Sequence, residues 1–398
     1  MKINIFPFVF LALSTSLFAQ QKTILVYDLA TGTLDSLPNI TYDETITSDQ
    51  TPYFIGNYND EIQLLPQTSA TSNTYPNTEY TLKKRVTDDF DITKYPIRTS
   101  VKVFSVENDT LQDNCSARMI SRKHILTAIH CIASINTDSL LVDSLLACPI
   151  YNNGDFSPAF GCSEVKKIYF LKGWNIAGED FAVLELSDPI GEQTGWISVG
   201  FNHDDDFFTE GIYFRFSYPS ITILPIDPNE YNGDTLYYGY GKLNSVEDTF
   251  LGVSGASSIK GESGSSIILV ENNATYTSYG TLSFSYDMKS SRIDDWEFYA
   301  IQSIIENDLI TDTDSPKDKA QLSLFPNPTT GKFYLENIDI AQIQSAFISD
   351  YSGRIVKYIS NTELTSGIDI SLLPNSTYQL FITTKNDVFS EKIIKIGK

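Results

Sequence analysis

Positive charge is scarce in this chain. Lys and Arg number 28 against 50 Asp and Glu, a formal net charge of −22 over 398 residues. A nucleic-acid binder needs a basic face, and no dense Lys/Arg cluster is present, so no nucleic-acid partner is expected. The acidity fits a secreted protein held soluble by its charge. Long hydrophobic runs are also rare. The one extended run lies at the start, is short and is interrupted by Pro7, so no stable membrane span is expected. Cysteine is confined to four positions, Cys115, Cys131, Cys148 and Cys162, and no Cys-x-x-Cys pair occurs, which argues against a metal site.

What is present points to export. Lys2 gives a positive start, Ile5 to Phe18 is mostly apolar, and Ala19-Gln20 ends the run at a small residue, the pattern of a secretory signal peptide over 1–20. No cysteine follows it, which argues against a lipoprotein. An even cysteine count in an exported chain implies two disulfides. Three pairings stay open; sequential pairing closes two short loops, each contributing about 3 kcal/mol on the chain-entropy model. With 41% hydrophobic and 13% aromatic residues the chain can build real cores. Short Thr, Tyr, Phe, Ile and Val runs broken by Gly and Asp make the texture all-β.

The chain divides by composition. Residues 21–85 are polar, lack cysteine and end at the basic cluster Lys83-Lys84-Arg85; they read as a propeptide, or as an arm that stays attached. Residues 86–310 hold every cysteine, histidine and tryptophan. Strand-like runs recur there at Ser100–Phe104, His124–Ala128, Lys167–Leu171, Phe181–Leu186, Ile212–Phe216, Ser266–Val270 and Tyr279–Ser285. Phe298, Ile301, Ile304, Ile305 and Leu309 then keep helical spacing. Residues 311–320 are a polar linker. Residues 321–398 alternate short strands with turns and read as a small β-sandwich.

Three motifs carry chemistry. His130 lies in Thr127-Ala128-Ile129-His130-Cys131, after an apolar run; a bond from Cys131 to Cys115 would fix the backbone that carries it. Ser263 lies in Gly261-Glu262-Ser263-Gly264-Ser265, where flanking glycines permit a sharp turn that exposes the hydroxyl. The Gly261 and Ser263 amides can then form an oxyanion hole, each donor contributing about 3 kcal/mol to the transition state. Asp180 stands at the mouth of the run Phe181–Leu186, where it can orient an imidazole. Taken singly, the serine motif is as readily a hairpin turn and the aspartate a strand cap. Together, in the order His130, Asp180, Ser263, they follow the chymotrypsin order rather than that of other triad folds. His124 is expected to face solvent. His203, in Asn202-His203-Asp204-Asp205-Asp206, is read as part of a solvated acidic loop rather than a cation site.

On these motifs, residues 86–310 resemble a chymotrypsin-like, trypsin-like serine protease, and Arg85–Asp88 through Tyr95-Pro96 resembles the mature start of bacterial glutamyl-endopeptidase-like enzymes. The resemblance implies an all-β, two-barrel fold and hydrolysis of protein or peptide substrates through an acyl-enzyme, with no cofactor and no metal. It implies that Gly280–Ser285 forms the edge that binds substrate backbone, with Ser257, Ser258, Ser283 and Ser285 around the specificity pocket. The sequence also departs from the pattern. Glu262 replaces the aspartate that pairs with a new N-terminus in the zymogen-activated branch. Ile259 replaces a cysteine, Ser257 replaces the trypsin aspartate, and Leu282 replaces the histidine of glutamyl endopeptidases. A catalytically silent homologue that binds other molecules is the alternative reading.

The last unit opens on Phe325-Pro326-Asn327-Pro328-Thr329-Thr330-Gly331 and later carries Asp350-Tyr351-Ser352-Gly353-Arg354. This spacing resembles the C-terminal sorting domain of the type IX secretion system. It implies the type IX machinery as a partner and delivery through the periplasm to the cell surface or the medium.

Overall fold

The structure, a computed structural model, describes residues 22–37, 40, 45–49, 62, 65, 80, 83–108, 110–134, 139–175, 178–221, 231–270, 275–311, 322–350, 355–384 and 388–397. The signal segment 1–20 and the linker beyond Thr311 lie outside these residues.

Six antiparallel strands close a first barrel. In spatial order they are Ser100–Glu107, Thr110–Met119, His124–Thr127, Ala182–Leu186, Ser163–Leu171 and Leu145–Pro149, the last pairing back with the first. Closure removes the sheet edges that would otherwise template aggregation. Ala182–Leu186 is flanked on both sides and buried throughout, which is why it reads as an unbroken apolar run apart from Glu185. A second antiparallel sheet runs Ser245–Val246, Phe250–Gly252, Ser290–Arg292, Tyr276–Leu282, Ser266–Val270, Tyr213–Ser217, Tyr237–Gly241 and Lys84–Arg85, with Ser198–Val199 added in parallel on Tyr276–Leu282. The architecture is all-β, with two barrel-like sheets, as expected.

The helix Asp295–Thr311 follows the last strand of the second sheet. Asp294 caps it, accepting from the Trp296 and Glu297 amides at 3.1 and 3.3 Å. Its Phe298, Ala300, Ile301, Ile304 and Ile305 join the core of the first barrel. The apolar spacing seen in the sequence is thus the face that crosses back to the other half of the domain. Beyond the linker, a three-stranded and a four-stranded antiparallel sheet enclose their own core around Phe333, Ile348, Leu380, Ile382 and Ile393.

Residues before position 86 are woven into the same structure wherever they are described. Ile24–Asp28 adds to the first barrel, running from Ile24 opposite Leu171 to Asp28 opposite Lys167, and turns back through Thr33–Ser36. Ser48–Asp49 pairs with Phe201–Asn202. Leu65 is buried in the second core.

One expectation fails. His124 is 0% exposed rather than solvent-facing. Its strand lies between two others, Arg118–Met119 and Ala182–Glu185, and both of its faces are covered. The ring Nδ1 stands 2.7 Å from Ser121 Oγ, and burial lowers its pKa from 6.5 to about 4. The unfolded chain therefore takes up a proton near pH 6.5 that the folded chain refuses until about pH 4. Stability falls as pH drops through that window, by about 3 kcal/mol in full. Urea unfolding between pH 7 and 4 is expected to show this loss in the wild type and a flatter slope in His124→Phe. Parallel slopes would show that His124 takes up its proton equally in the folded and unfolded chains.

Candidate active site

Each member of the His130, Asp180 and Ser263 set is delivered by a different element. The strand His124–Thr127 ends in a short 3-10 turn, Ile129–Cys131, that presents His130 at the rim of the first barrel. Asp180 lies just ahead of Ala182–Leu186, which pairs with His124–Thr127 through Ala182 and Thr127. That pairing brings residues 130 and 180 together. Ser263 comes from the opposite sheet, in the loop before Ser266–Val270.

The three side chains form one hydrogen-bonded line. His130 Nδ1 is 2.6 Å from Asp180 Oδ2, and His130 Nε2 is 2.9 Å from Ser263 Oγ. The other Asp180 oxygen, Oδ1, accepts from the His130 backbone N–H at 2.9 Å. Asp180 is fully buried, whereas the imidazole is 26% exposed. Such an aspartate, accepting twice from one residue, fixes both the position and the tautomer of the ring: Nδ1 carries the proton, and Nε2 is left to accept from the serine.

The serine loop depends on two glycines in the left-handed region. Gly261 has φ +86°, and a Cβ there would meet the Tyr218 carbonyl at 2.4 Å. Gly264 has φ +78°, and a Cβ would meet Thr127 Oγ1 at 2.1 Å. Gly264 is turned against the first barrel and Gly261 against the Tyr218 backbone of the second sheet, each so tightly that only glycine fits. Among the described residues, neither the Gly261 nor the Ser263 amide donates to a protein acceptor. Both are left available for an oxyanion.

A residue that sequence reasoning missed joins the halves. Ser116 N donates to Ser263 O at 2.9 Å, and Ser116 Oγ donates to Gly261 O at 2.8 Å. Ser116 Oγ also accepts from Tyr218 N, and Ser116 O accepts from Thr127 Oγ1. One serine of the first barrel thus holds both ends of the Gly261–Ser263 turn. Its one signal in the sequence is its place beside Cys115, which bonds Cys131, the neighbour of His130. The other disulfide joins Cys148 to Cys162. Thr281 makes a similar tie on the aspartate, donating to Asp180 O at 3.1 Å.

The residues expected around the specificity pocket fall into two facing stretches. Ser258 N donates to Ser285 O at 3.0 Å, and Ser257 bridges Tyr286. Ser283 is buried, its hydroxyl turned to Thr281 O and Ser291 Oγ rather than outward. Leu282 is also buried, 1% exposed. Behind the serine loop, the buried Arg215 guanidinium donates to Ser265 O at 3.0 Å and to Ser290 Oγ at 2.7 Å. Tyr80 lies beside it; burial raises its hydroxyl pKa, and Arg215 partly offsets the rise.

Glu262, between Gly261 and Ser263, turns inward and is 1% exposed. Its Oε1 accepts from Ile259 N at 2.6 Å, and its Oε2 accepts from Ser217 Oγ at 2.9 Å. Lys83 Nζ stands 3.3 Å from Oε1. The acidic loop near His203 is occupied differently. Asp204 caps the short helix Asp205–Glu210, Asp205 pairs with Arg292 at 2.7 Å, and His203 lies 3.9 Å from Asp295.

Residues 323–396 match the secretion system C-terminal sorting domain, which marks the chain for export by type IX secretion to the cell surface or beyond. No helix among the described residues is long and apolar enough to cross a membrane. No curated protein matches the chain. Similar solved structures include the protease Anisep from Arthrobacter nicotinovorans, at 17% identity and a TM-score of 0.41, covering 54% of this chain and 94% of that one. A Glu endopeptidase in complex with MPD is similar at 16% identity and a TM-score of 0.44, covering 56% of this chain and 96% of that one. The trypsin family model matches residues 88–300, more than half of the chain, and the protein belongs to the trypsin family.

Proposed function

We propose that this protein is an exported serine endopeptidase that cleaves protein or peptide chains through an acyl-enzyme. The observation that carries the reading is the unbroken line from Asp180 through His130 to Ser263 Oγ, with bonds of 2.6 and 2.9 Å.

In this reading Ser263 Oγ attacks the scissile carbonyl while its proton passes to His130 Nε2. The carbonyl oxygen becomes an oxyanion held by the Gly261 and Ser263 amides. Asp180 accepts from Nδ1–H and stabilises the imidazolium that results. Collapse of the tetrahedral species breaks the C–N bond, and His130 returns the proton to the departing amine. Water then attacks the acyl-enzyme, giving its proton to His130 Nε2, and the second collapse returns that proton to Ser263 Oγ. Residues 86–310 carry this chemistry, and the C-terminal unit is the address read by the type IX machinery.

The test is covalent. A fluorophosphonate is expected to label the folded chain once, with the adduct mapped to Ser263 by peptide mass spectrometry. A folded protein that takes no label overturns the reading in favour of a silent homologue.

A further inference from the structure

The nucleophile loop is held by a residue outside the matched protease region. The Ser263 amide lies in the peptide bond that Glu262 forms, and the Gly261 amide lies one peptide further back, so whatever fixes the Glu262 side chain restrains the turn that carries both. Its carboxylate is buried, and its two neutral donors, Ile259 N and Ser217 Oγ, cannot balance its charge. Among the described residues, Lys83 is the one Lys or Arg within ion-pair distance of it. The same ammonium donates to Ser257 O at 3.1 Å. One cation therefore ties both ends of the stretch 257–262 together. Lys83 is itself mostly buried, its side chain 14% exposed.

The backbone that carries Lys83 is fixed on both sides. Lys84 and Arg85 pair as an edge strand with Tyr238 and Tyr237. Val86 N donates to Leu236 O at 3.0 Å, and the Val86 side chain is fully buried. Upstream, Tyr80 packs against the cluster of Tyr213, Ile267 and Tyr279 that lies beneath the serine loop. Further upstream, the strand Ile24–Asp28 is paired along its whole length. A cut after Arg85 would separate Lys83 from the chain that follows it.

Resting on the serine-protease reading above, we propose that Lys83 is a positioning residue for the oxyanion loop, acting through Glu262. The uncut chain then holds this loop formed, with no need of a new N-terminus at Val86. The segment before position 86 supplies a working part of the active domain rather than only a piece to be discarded.

The experiment compares the full chain with Lys83→Met, Lys83→Arg and Lys84→Ala. The readouts are the fluorophosphonate labelling rate, kcat and KM on an ester substrate, thermal unfolding, and the intact mass of the labelled species. Lys83→Met is expected to lower the labelling rate and kcat by about a hundredfold, the scale of a lost oxyanion donor, with KM nearly unchanged. Lys83→Arg should restore most of the rate, and Lys84→Ala should match the wild type. The intact mass of the fully active species should include Lys83. A folded Lys83→Met that labels at the wild-type rate overturns the proposal. So does a species that begins at Val86, has lost everything before it and keeps the full rate. If Lys83→Met does not fold, the double variant Lys83→Met/Glu262→Gln removes the stranded charge as well. It should fold and remain slow, and a wild-type rate there is again fatal. Failure of the wild type to label defeats the serine-protease reading instead, so the two failures are distinct.

Discussion

Replacing Ser263 with alanine is expected to lower kcat for peptide or ester hydrolysis by about six orders of magnitude. The attacking oxygen is gone, and His130 Nε2 loses the donor that stands 2.9 Å away. Water must then act as nucleophile without a fixed place in the line. Some acceleration survives, because the Gly261 and Ser263 amides are backbone groups that the substitution leaves in position. That residue of catalysis is about a thousandfold over water. The KM should stay within a few-fold, since the oxygen removed contributes little to ground-state contact. Stability should change little as well, because the serine side chain is only partly buried and its lost partner, the ring, keeps its bonds to Asp180. Active-site titration followed by ester hydrolysis at saturating substrate measures this. Retention of more than about 1% of wild-type kcat would show that another group supplies the nucleophile.

Asp180→Asn is expected to cost about four orders of magnitude in kcat at neutral pH. The carboxylate accepts two hydrogen bonds, one from the His130 backbone N–H onto Oδ1 and one from the ring onto Oδ2. Asparagine has one acceptor and one donor of the same shape. If its oxygen keeps the backbone bond, its NH2 faces Nδ1 and donates to it. The ring must then carry its proton on Nε2, which can no longer accept from Ser263. The variant is isosteric, so the fold should persist. The loss should lie in kcat and in the labelling rate together, both of which need the serine proton removed. A rise in KM alone, or a variant that merely melts early, would assign Asp180 a packing role.

The motifs around His130, Asp180 and Ser263 were legible because each is local. A sharp turn needs its glycines at fixed offsets, and a strand mouth needs its apolar run directly behind it. The order along the chain then limited the fold. The disulfide Cys115–Cys131 could be named as an option but not chosen, since pairing depends on which strands lie side by side. His124 was misread for a related reason. A short strand between two others in a closed barrel has no free face, and nothing within His124–Thr127 announces its neighbours. Thr110–Met119 escaped notice because its Gln, Asp, Asn, Ser and Arg hide a ten-residue strand behind a polar composition. Ser116 and Lys83 were out of reach. Each acts on residues more than a hundred positions away, and each looks in sequence like an ordinary surface residue. Lys83 in particular lay in a basic cluster whose obvious meaning was a cleavage site.

The Cys115–Cys131 bond has a consequence for when the protein can act. One of its cysteines precedes Ser116, which holds the serine loop, and the other follows His130. The staple therefore links the two halves of the proton path at their roots. Such bonds form in the periplasm and beyond, and are absent from a reducing cytosol. Within the producing cell the newly made chain has the residues of a protease without the brace that aligns them. On the reading proposed above, the redox boundary that the chain crosses separates the unbraced form from the braced one.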